Sequence, residues 1–513
     1  MSEDLAGDVD EALATDVEAF RERAAADAEV VKSELREGAF DNHQSIIGLE
    51  YEFYAVADGR WTDDGSTEGE LTRVPRRLLE HIGFEKELGL HNAEMRTSPQ
   101  PFNPAGLRAQ RSEVRARLEA ALSCTATEGM RLVSDGIWLT PPAGEAARGY
   151  LSDSVVDDGV RIATNMSDAV RYHGMANSGA LNSPMSVDVP FVDLEAQTVM
   201  PESLITSIQP HYQMSHAHDL PQCFNYALRV AGPLLALGVN SPLFPPDCYR
   251  DDAAPEAILA DGWAENRIAV FESVLNATDD PDKVRFPRDL DSAAEAVDRV
   301  VEDPVVVPMP AEETGDRFDD RFATLRLKHG TYWRWVRPVF GGASRSQANA
   351  RIEFRPVAGQ PTVADSIAFQ AAFAGLMESL PQRHHPALDM DWAVAERNFY
   401  NAARDGLDAE LEWIGHDGAA TTDHDELFED LLAHARAGLE SAGFSESGAK
   451  RYLEPLRVRA ERRITPAAWK RDRVRDRLSA GEDFETAVRG THRAYVENQA
   501  ATLLDGQFAD WLA

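Results

Sequence analysis

The chain has 513 residues, 87 of them Asp or Glu against 51 Lys or Arg, giving a net charge of −36. That charge excludes nucleic acid and anionic membrane as partners, and acidity with Arg in place of Lys is the composition of a protein from a very salty cytoplasm. The length allows one large domain with an appendage, no apolar run approaches membrane-spanning length, and the acidic start Met1-Ser2-Glu3-Asp4, with no apolar stretch behind it, reads as lacking a signal peptide.

Residues 1–40 are acidic and Ala-rich, with Leu13, Val17, Phe20, Val30, Val31 and Leu35 at roughly helical spacing. They predict one or two solvated helices packed on the main body. Ile46 to Tyr54 is β-branched and aromatic and predicts a strand. Its period of two puts Glu50 and Glu52 on one face, roughly 6.8 Å apart, and Leu49, Tyr51 and Phe53 on the other. Like charges at that spacing repel by about 2.4 kcal/mol at an effective dielectric of 20. The pair therefore calls for water or a cation, and oxygen ligation suits Mg²⁺ or Mn²⁺.

Residues 58–72 predict a loop and Val74 to Ile82 a short helix. Leu88 to Pro99 reads as a second strand, with Glu94 and Arg96 on one face. Residues 104–129 predict a helix, with Pro104 at its start and Gly129 past its end, and Arg131 to Leu139 a returning strand. Ala169 to His173 can sit on a helix. Ser203 to Met214 predicts a strand with Gln209, His211 and Gln213 on one face. Pro210 places that strand at an edge or a bulge.

Asp219 is a good N-cap for an apolar helix that ends at Gly238. A helix over Asn266–Leu275 and a strand over Trp333–Phe340 follow. Ala350 to Pro356 presents Arg351, Glu353 and Arg355 on one face, and residues 362–380 predict an apolar helix. The remainder reads as all-helical, charged and Arg-rich. Cys124, Cys223 and Cys248 are odd in number and have no zinc spacing. They point to a reducing compartment, and a cytoplasmic location is expected.

Four strands thus present polar residues against an apolar back: Glu50/Glu52, Glu94/Arg96, Gln209/His211/Gln213 and Arg351/Glu353/Arg355. In one antiparallel sheet they would line a cavity with carboxylates, an imidazole and guanidinium groups. Phosphoryl transfer to an acid needs that mixture: carboxylates hold Mg²⁺, and Arg stabilises charge on the transferred group. No Walker loop, Gly-x-Gly-x-x-Gly or Gly-x-Ser-x-Gly occurs. His216 and His218 read as loop or capping residues, and Trp333 and Trp335 as packing.

The ordered set resembles the glutamate–cysteine ligase family and its carboxylate–amine ligase relatives. Gly48-Leu49-Glu50-Tyr51-Glu52-Phe53 resembles the opening Gly-x-Glu-x-Glu-Phe strand, and Ala93-Glu94-Met95-Arg96-Thr97-Ser98-Pro99 the Glu-x-x-Thr-x-Pro element. Arg171-Tyr172 matches an Arg-Tyr pair. Gln209-Pro210-His211-Tyr212-Gln213, Leu234 to Pro242 and Arg351-Ile352-Glu353-Phe354-Arg355 resemble the later elements. Gln213 stands where many relatives carry a second His.

The resemblance implies an α+β fold. Its glutamine-synthetase-like catalytic domain, with a curved, mainly antiparallel sheet flanked by helices, would cover residues 41–382. An acidic helical segment (1–40) would precede it and a helical C-terminal extension (383–513) would follow. A halophilic archaeal member of the family is expected.

The family's chemistry would use ATP and Mg²⁺ (or Mn²⁺) to phosphorylate the γ-carboxylate of glutamate, and an amine, such as that of cysteine, would then displace phosphate. Carried over by position, Glu50, Glu52, Glu94, His211 and Glu353 would form the metal shell. Gln209, Gln213 and Arg355 would meet the nucleotide, Arg355 clamping the phosphoryl group with Arg351 and Glu353 beside it. Arg171 and Glu94 would meet substrate. Three alternatives stay open: the same chemistry on another acid or amine, a silent relative that binds partners through the tail, and a metal-dependent hydrolase.

Overall fold

Apolar alternation in six strands explains the centre of the molecule. The structure is a computed structural model and describes residues 4–59, 69–181, 184–276, 282–310 and 315–512. Most of the loop expected over 58–72 lies outside these residues. In chain order, α1 (Leu5–Leu13) and α2 (Val17–Arg36) precede β1 (Ile46–Ala57). Then come α3 (Arg76–Glu80), β2 (Phe84–Lys86), β3 (Asn92–Arg96), β4 (Gln100–Pro101), α4 (Pro104–Ala126) and β5 (Met130–Val133). A peripheral stretch holds α5 (Ala147–Ser152), the hairpin β6 (Ser154–Asp157) and β7 (Val160–Ala163), α6 (Val170–Asn177), and the pair β8 (Met185–Ser186) and β9 (Glu195–Ala196).

The chain returns to the centre with β10 (Ile208–Gln213) and α7 (Leu220–Gly238), followed by α8 (Pro255–Asp261), α9 (Asn266–Leu275), α10 (Ala293–Glu302) and α11 (Ala323–His329). The hairpin β11 (Val336–Gly341) and β12 (Asn349–Phe354) leads to α12 (Val363–Gln382) and α13 (Trp392–Asp405). A small hairpin, β13 (Trp413–Ile414) and β14 (Ala420–Thr421), precedes α14 (His424–Ser441), α15 (Glu446–Arg462), α16 (Pro466–Ser479) and α17 (Phe484–Thr502).

The main sheet runs β11-β12-β10-β1-β3-β2, with β4 and β5 also on β1, and every pairing is antiparallel. Leu49, Tyr51 and Phe53 bury completely on its back face, with Met95, Ile208, Ile352 and Phe354. Helices α7 and α12 pack there. This one apolar core continues into the tail, through Phe428, Leu456, Trp469 and Val488.

Buried polar clasps join the same two parts. Arg459 of α15 donates to Asp365 at 2.7 Å and to the Leu237 carbonyl at 2.9 Å. Lys470 of α16 pairs with Asp135. Gln499 of α17 bonds both the N–H (3.0 Å) and the C=O (2.7 Å) of Ser134, the backbone just after β5, and Tyr495 of the same helix donates to that C=O at 2.9 Å.

The N-terminal helices dock on the other side. Ala28 and Val31 of α2, with Phe40, share a smaller core with Val297 and Val300 of α10 and Phe322 and Leu325. α1 packs against β7 and α6.

Several sequence expectations need adjustment. β10 is interior to the sheet, so Pro210 does not mark an edge. The ladder to β12 is offset instead: His211 pairs with Glu353, but Ser207 pairs with Ala358, a step of four residues against a step of five. That is the bulge alternative. The strands expected from Ser203 and to Leu139 are shorter, beginning at Ile208 and ending at Val133. Asp219 holds the N-cap position of α7 without a side-chain cap bond. The tail is not wholly helical, since β13 and β14 form a hairpin.

Candidate active site

Register places the charged residues. On β1 and β3, Glu52 faces Glu94 and Glu50 faces Arg96. Across β10, Glu50 also faces Gln209 and Gly48 faces His211. His211 in turn faces Glu353, which faces Arg337 on β11. The strand alternation that buries the apolar back therefore brings all of these to the front face.

Two cavities open on that face. The larger, about 760 Å³, lies between the sheet and helices α10 and α11. Its apolar wall includes Val297, Val300, Phe322, Leu325 and Val339; Glu50, Arg96, His211 and Arg351 line it from the sheet, and Arg326 there pairs with Asp319. The smaller, about 130 Å³, is almost wholly polar. Five carboxylates (Glu50, Glu52, Glu87, Glu94, Glu202) there meet five guanidinium groups (Arg96, Arg171, Arg267, Arg337, Arg355). Glu50 and Arg96 line both cavities and mark their junction.

Hydrogen bonds fix most of these groups. Arg96 bonds Glu50 at 3.2 Å and Glu94 at 2.9 Å. Glu353 accepts Arg337 Nε at 2.9 Å and Arg355 Nη1 at 2.6 Å, both on Oε1. Arg355 also donates to Gln209 at 2.7 Å, and Gln209 donates to Glu52 at 2.8 Å. The Ser207 N–H gives Glu52 a second bond at 2.6 Å.

The charges are unevenly shifted. Burial, then the Glu87 charge, pushes the Glu52 carboxyl up to about 7, against the pull of Arg355 and Arg267. Burial and Glu87 likewise push Glu202 up to about 8. Glu94 is raised well above the carboxylate range by burial and by Glu50. Burial also opposes the charge on Glu50, but His211, Arg96 and a hydrogen bond from Glu94 hold it below its ordinary value. For Glu353, Arg337 and Arg355 overcome burial and hold it well below. Burial lowers His211 to about 4.

The donor set fits a hard divalent cation. Carboxylate oxygens of Glu50 and Glu353 and a ring nitrogen of His211 lie within 4.8 Å of one another. His211 Nε2 is buried, has no hydrogen-bond partner, and faces Glu50 at 3.5 Å. Arg351 Nε donates to His211 Nδ1 at 3.0 Å. That bond leaves the ring proton on Nε2, so ligation through Nε2 requires Arg351 to release the ring.

The structure thus gathers Glu50, His211 and Glu353 of the sequence-derived metal set. It puts Glu52 and Glu94 beside them in the small cavity, with Arg171, Gln209 and Arg355. Gln213 and Arg351 line the large one. Glu87, Glu202, Arg267 and Arg337 did not emerge from the sequence. Arg337 carried a usable signal, because alternation from Trp335 puts it on one face of a recognised strand. Glu87 and Glu202 fall just outside the expected strands and carried none.

The family model for glutamate-cysteine ligase family 2 (GCS2) matches residues 46–498. Among solved structures the chain is similar to the glutamate–cysteine ligase of Francisella tularensis in complex with AMP. The TM-score is 0.50 at 12% identity, over 91% of each chain. It is also similar to a bifunctional glutathione synthetase from Pasteurella multocida, with a TM-score of 0.48 at 12% identity, over 92% of this chain and 55% of that one. The complex of the ubiquitin-like protein Pup with its ligase PafA gives 0.39 at 12% identity, over 87% and 71%. No curated protein matches the sequence. At such identities the first likeness speaks for the fold, a glutamine-synthetase-like curved sheet, and the family rests on the sequence match across most of the chain. On that ground the chain belongs to glutamate–cysteine ligase family 2, and with it to the carboxylate–amine ligases.

Proposed function

We propose that the protein is an ATP-dependent glutamate–cysteine ligase acting across the junction of the two cavities. The observation that carries this reading is their division of labour. The large cavity, apolar at one side and cationic at the end that meets Glu50, suits a nucleotide with its phosphates toward the junction. The small cavity balances five carboxylates with five guanidiniums, yet burial raises Glu94 well above the carboxylate range and Glu52 and Glu202 to about 7 and 8. Its effective charge near neutrality is therefore positive, which suits an acidic amino acid.

A divalent cation on Glu50, Glu353 and His211 would supply neutralisation of the nucleotide phosphates. The protein's own groups do the rest. Arg171, stacked on Tyr172, and Arg267 receive substrate carboxylates, and Glu52, Glu87 and Glu202 accept from the ammonium group, whose charge favours their ionised form once it is bound. The γ-carboxylate then takes the terminal phosphoryl group of ATP. Arg355, whose Nε is buried without a partner, donates to that group as charge develops on it. Gln213 Nε2, also buried and unpartnered, donates to the nucleotide. The amine of cysteine attacks the acyl phosphate, phosphate leaves, and γ-glutamylcysteine results.

The test is phosphate release from ATP and Mg²⁺ with glutamate, with and without cysteine, followed by mass analysis of the thiol product. Release that needs both amino acids, with a γ-glutamylcysteine mass, is expected. Release with glutamate that cysteine does not stimulate assigns the amine elsewhere, and release from ATP indifferent to both overturns the reading.

A further inference from the structure

A second cluster of metal-ligating side chains lies in the C-terminal region, where the catalytic reading makes no use of it. His385 follows α12, His416 sits in the turn between β13 and β14, and Asp430 and His434 share one face of α14 at i, i+4. None of the four lines either cavity described above. Among the described residues, one ligand atom each from His385, Asp430 and His434 lies within 4.8 Å of the others.

We propose that Asp430, His434 and His416 form a structural transition-metal site of the zinc class, with a fourth position open to water and with His385 and Trp413 holding the carboxylate in place. The two oxygens of Asp430 are used differently. Oδ2 is occupied by donors, Trp413 Nε1 at 2.8 Å and His385 Nε2 at 3.0 Å. His385 Nδ1 accepts the Ala387 N–H at 3.0 Å. That bond keeps the ring proton on Nε2 and makes His385 a donor to Asp430, not a ligand. Such outer donors orient a ligating carboxylate.

Oδ1 faces the other two imidazoles. It is hydrogen-bonded to His416 Nδ1 at 3.0 Å and accepts the His416 backbone N–H at 3.4 Å, and His434 Nε2 stands 3.7 Å away. Ligands about 2.0–2.2 Å from a tetrahedral zinc stand roughly 3.3–3.5 Å apart, so these separations bracket the required edge. The His416 and His434 ring centroids are 6.5 Å apart, and two rings on one zinc stand closer, at about 5–6 Å. His416 is 75% exposed and supplies the closing movement. Its ring proton then moves to Nε2, on the solvent side.

A purely structural reading leaves His434 unexplained. The residue is 9% exposed, its Nδ1 is buried with no partner, and its Nε2 is too far from Asp430 for a hydrogen bond. Nε2 thus faces the carboxylate at a co-ligand's spacing without bonding it, and a cation between Nε2 and Oδ1 gives that nitrogen a partner. Two imidazoles and a carboxylate favour Zn²⁺ over Mg²⁺, whereas the trio at the active site, with two carboxylates, favours the reverse.

Full-length protein stripped with chelator and kept in excess Mg²⁺ is titrated with Co²⁺ and then Zn²⁺. One equivalent of Co²⁺ with the visible absorption of a tetrahedral or five-coordinate site, displaced by Zn²⁺, is expected, together with a Zn²⁺-dependent rise in Tm. His434→Asn should weaken uptake by about 100-fold and His416→Asn, at the surface and harmless to folding, by about tenfold. Glu353→Gln at the active site should leave the cobalt spectrum unchanged. No stoichiometric uptake, uptake that His416→Asn leaves intact, or a spectrum lost in Glu353→Gln would each overturn the assignment.

Discussion

Glu50 lines both cavities and is held ionised by His211 and Arg96, while Glu353 is held ionised by two guanidiniums. Removing either carboxylate leaves the guanidinium groups beside it uncompensated and removes half of the carboxylate pair suited to a metal. Glu50→Ala and Glu353→Ala should each lower kcat by about 10² or more, read as γ-glutamylcysteine formed per enzyme. Near-normal turnover in both would sink the metal assignment.

Glu202 makes a prediction with a pH signature. Burial and Glu87 raise its carboxyl to about 8 from an ordinary 4.5. Between those values the native protein retains a proton that the unfolded chain has released. Its contribution to stability is therefore full below about 4.5 and is lost as pH rises through about 8. Glu202→Gln does not titrate, so its Tm should gain on that of the natural protein across that window and run parallel below it. A constant offset at all pH values would refute the shift.

At the scale of elements, α2 acts as a buttress to the large cavity. The family match begins at residue 46, yet the helices that close the cavity lean on residues before it. Glu34, 3% exposed, bonds Arg321 and Arg345, each at 2.6 Å. Phe40 stacks edge-on against Phe318 and Phe340. Glu34→Ala should loosen this wall and raise the KM for ATP by roughly tenfold, or about 1.4 kcal/mol, with the KM for glutamate little changed. Equal rises in both would point to general destabilisation instead.

Elements were also where the sequence was most legible. Period-two faces identified β1, β3, β10 and β12 and the charged residues they carry, because a half-buried strand writes its geometry into alternation. What alternation does not encode is pairing. Glu87, Glu202 and Arg267 join the site from strand-free segments and from the start of a helix, brought there by contacts distant in sequence. The bulge beside Pro210 was only half legible: proline announced an irregular ladder, but only the sheet order reveals that β10 is central.

For the whole molecule, the sheet and the C-terminal helices share one core, and their buried clasps make them interdependent. Arg459 and Asp365 are each 1% exposed. Arg459→Ala would leave the Asp365 carboxylate buried beside Thr362 alone among side chains, a loss of about 3–5 kcal/mol. Thermal unfolding, followed by far-UV dichroism and by tryptophan fluorescence, should give coincident transitions in both proteins, with that of Arg459→Ala lower. A separate early transition confined to the helices would show instead that the tail unfolds alone.

The bond between Gln499 and Ser134 also has a meaning in time. The two residues are separated by 365 positions. At roughly 5–20 residues per second, a ribosome takes about 20–70 s to deliver the second after the first. Throughout that interval the backbone after β5 lacks its partner, while the apolar back of the sheet is covered in stages, by α7 and then by α12. The charged face of the sheet therefore cannot become rigid during synthesis of the strands that compose it. The nascent chain leaves the ribosome as an open sheet, a state that holding chaperones recognise and in which copies on one messenger can entangle.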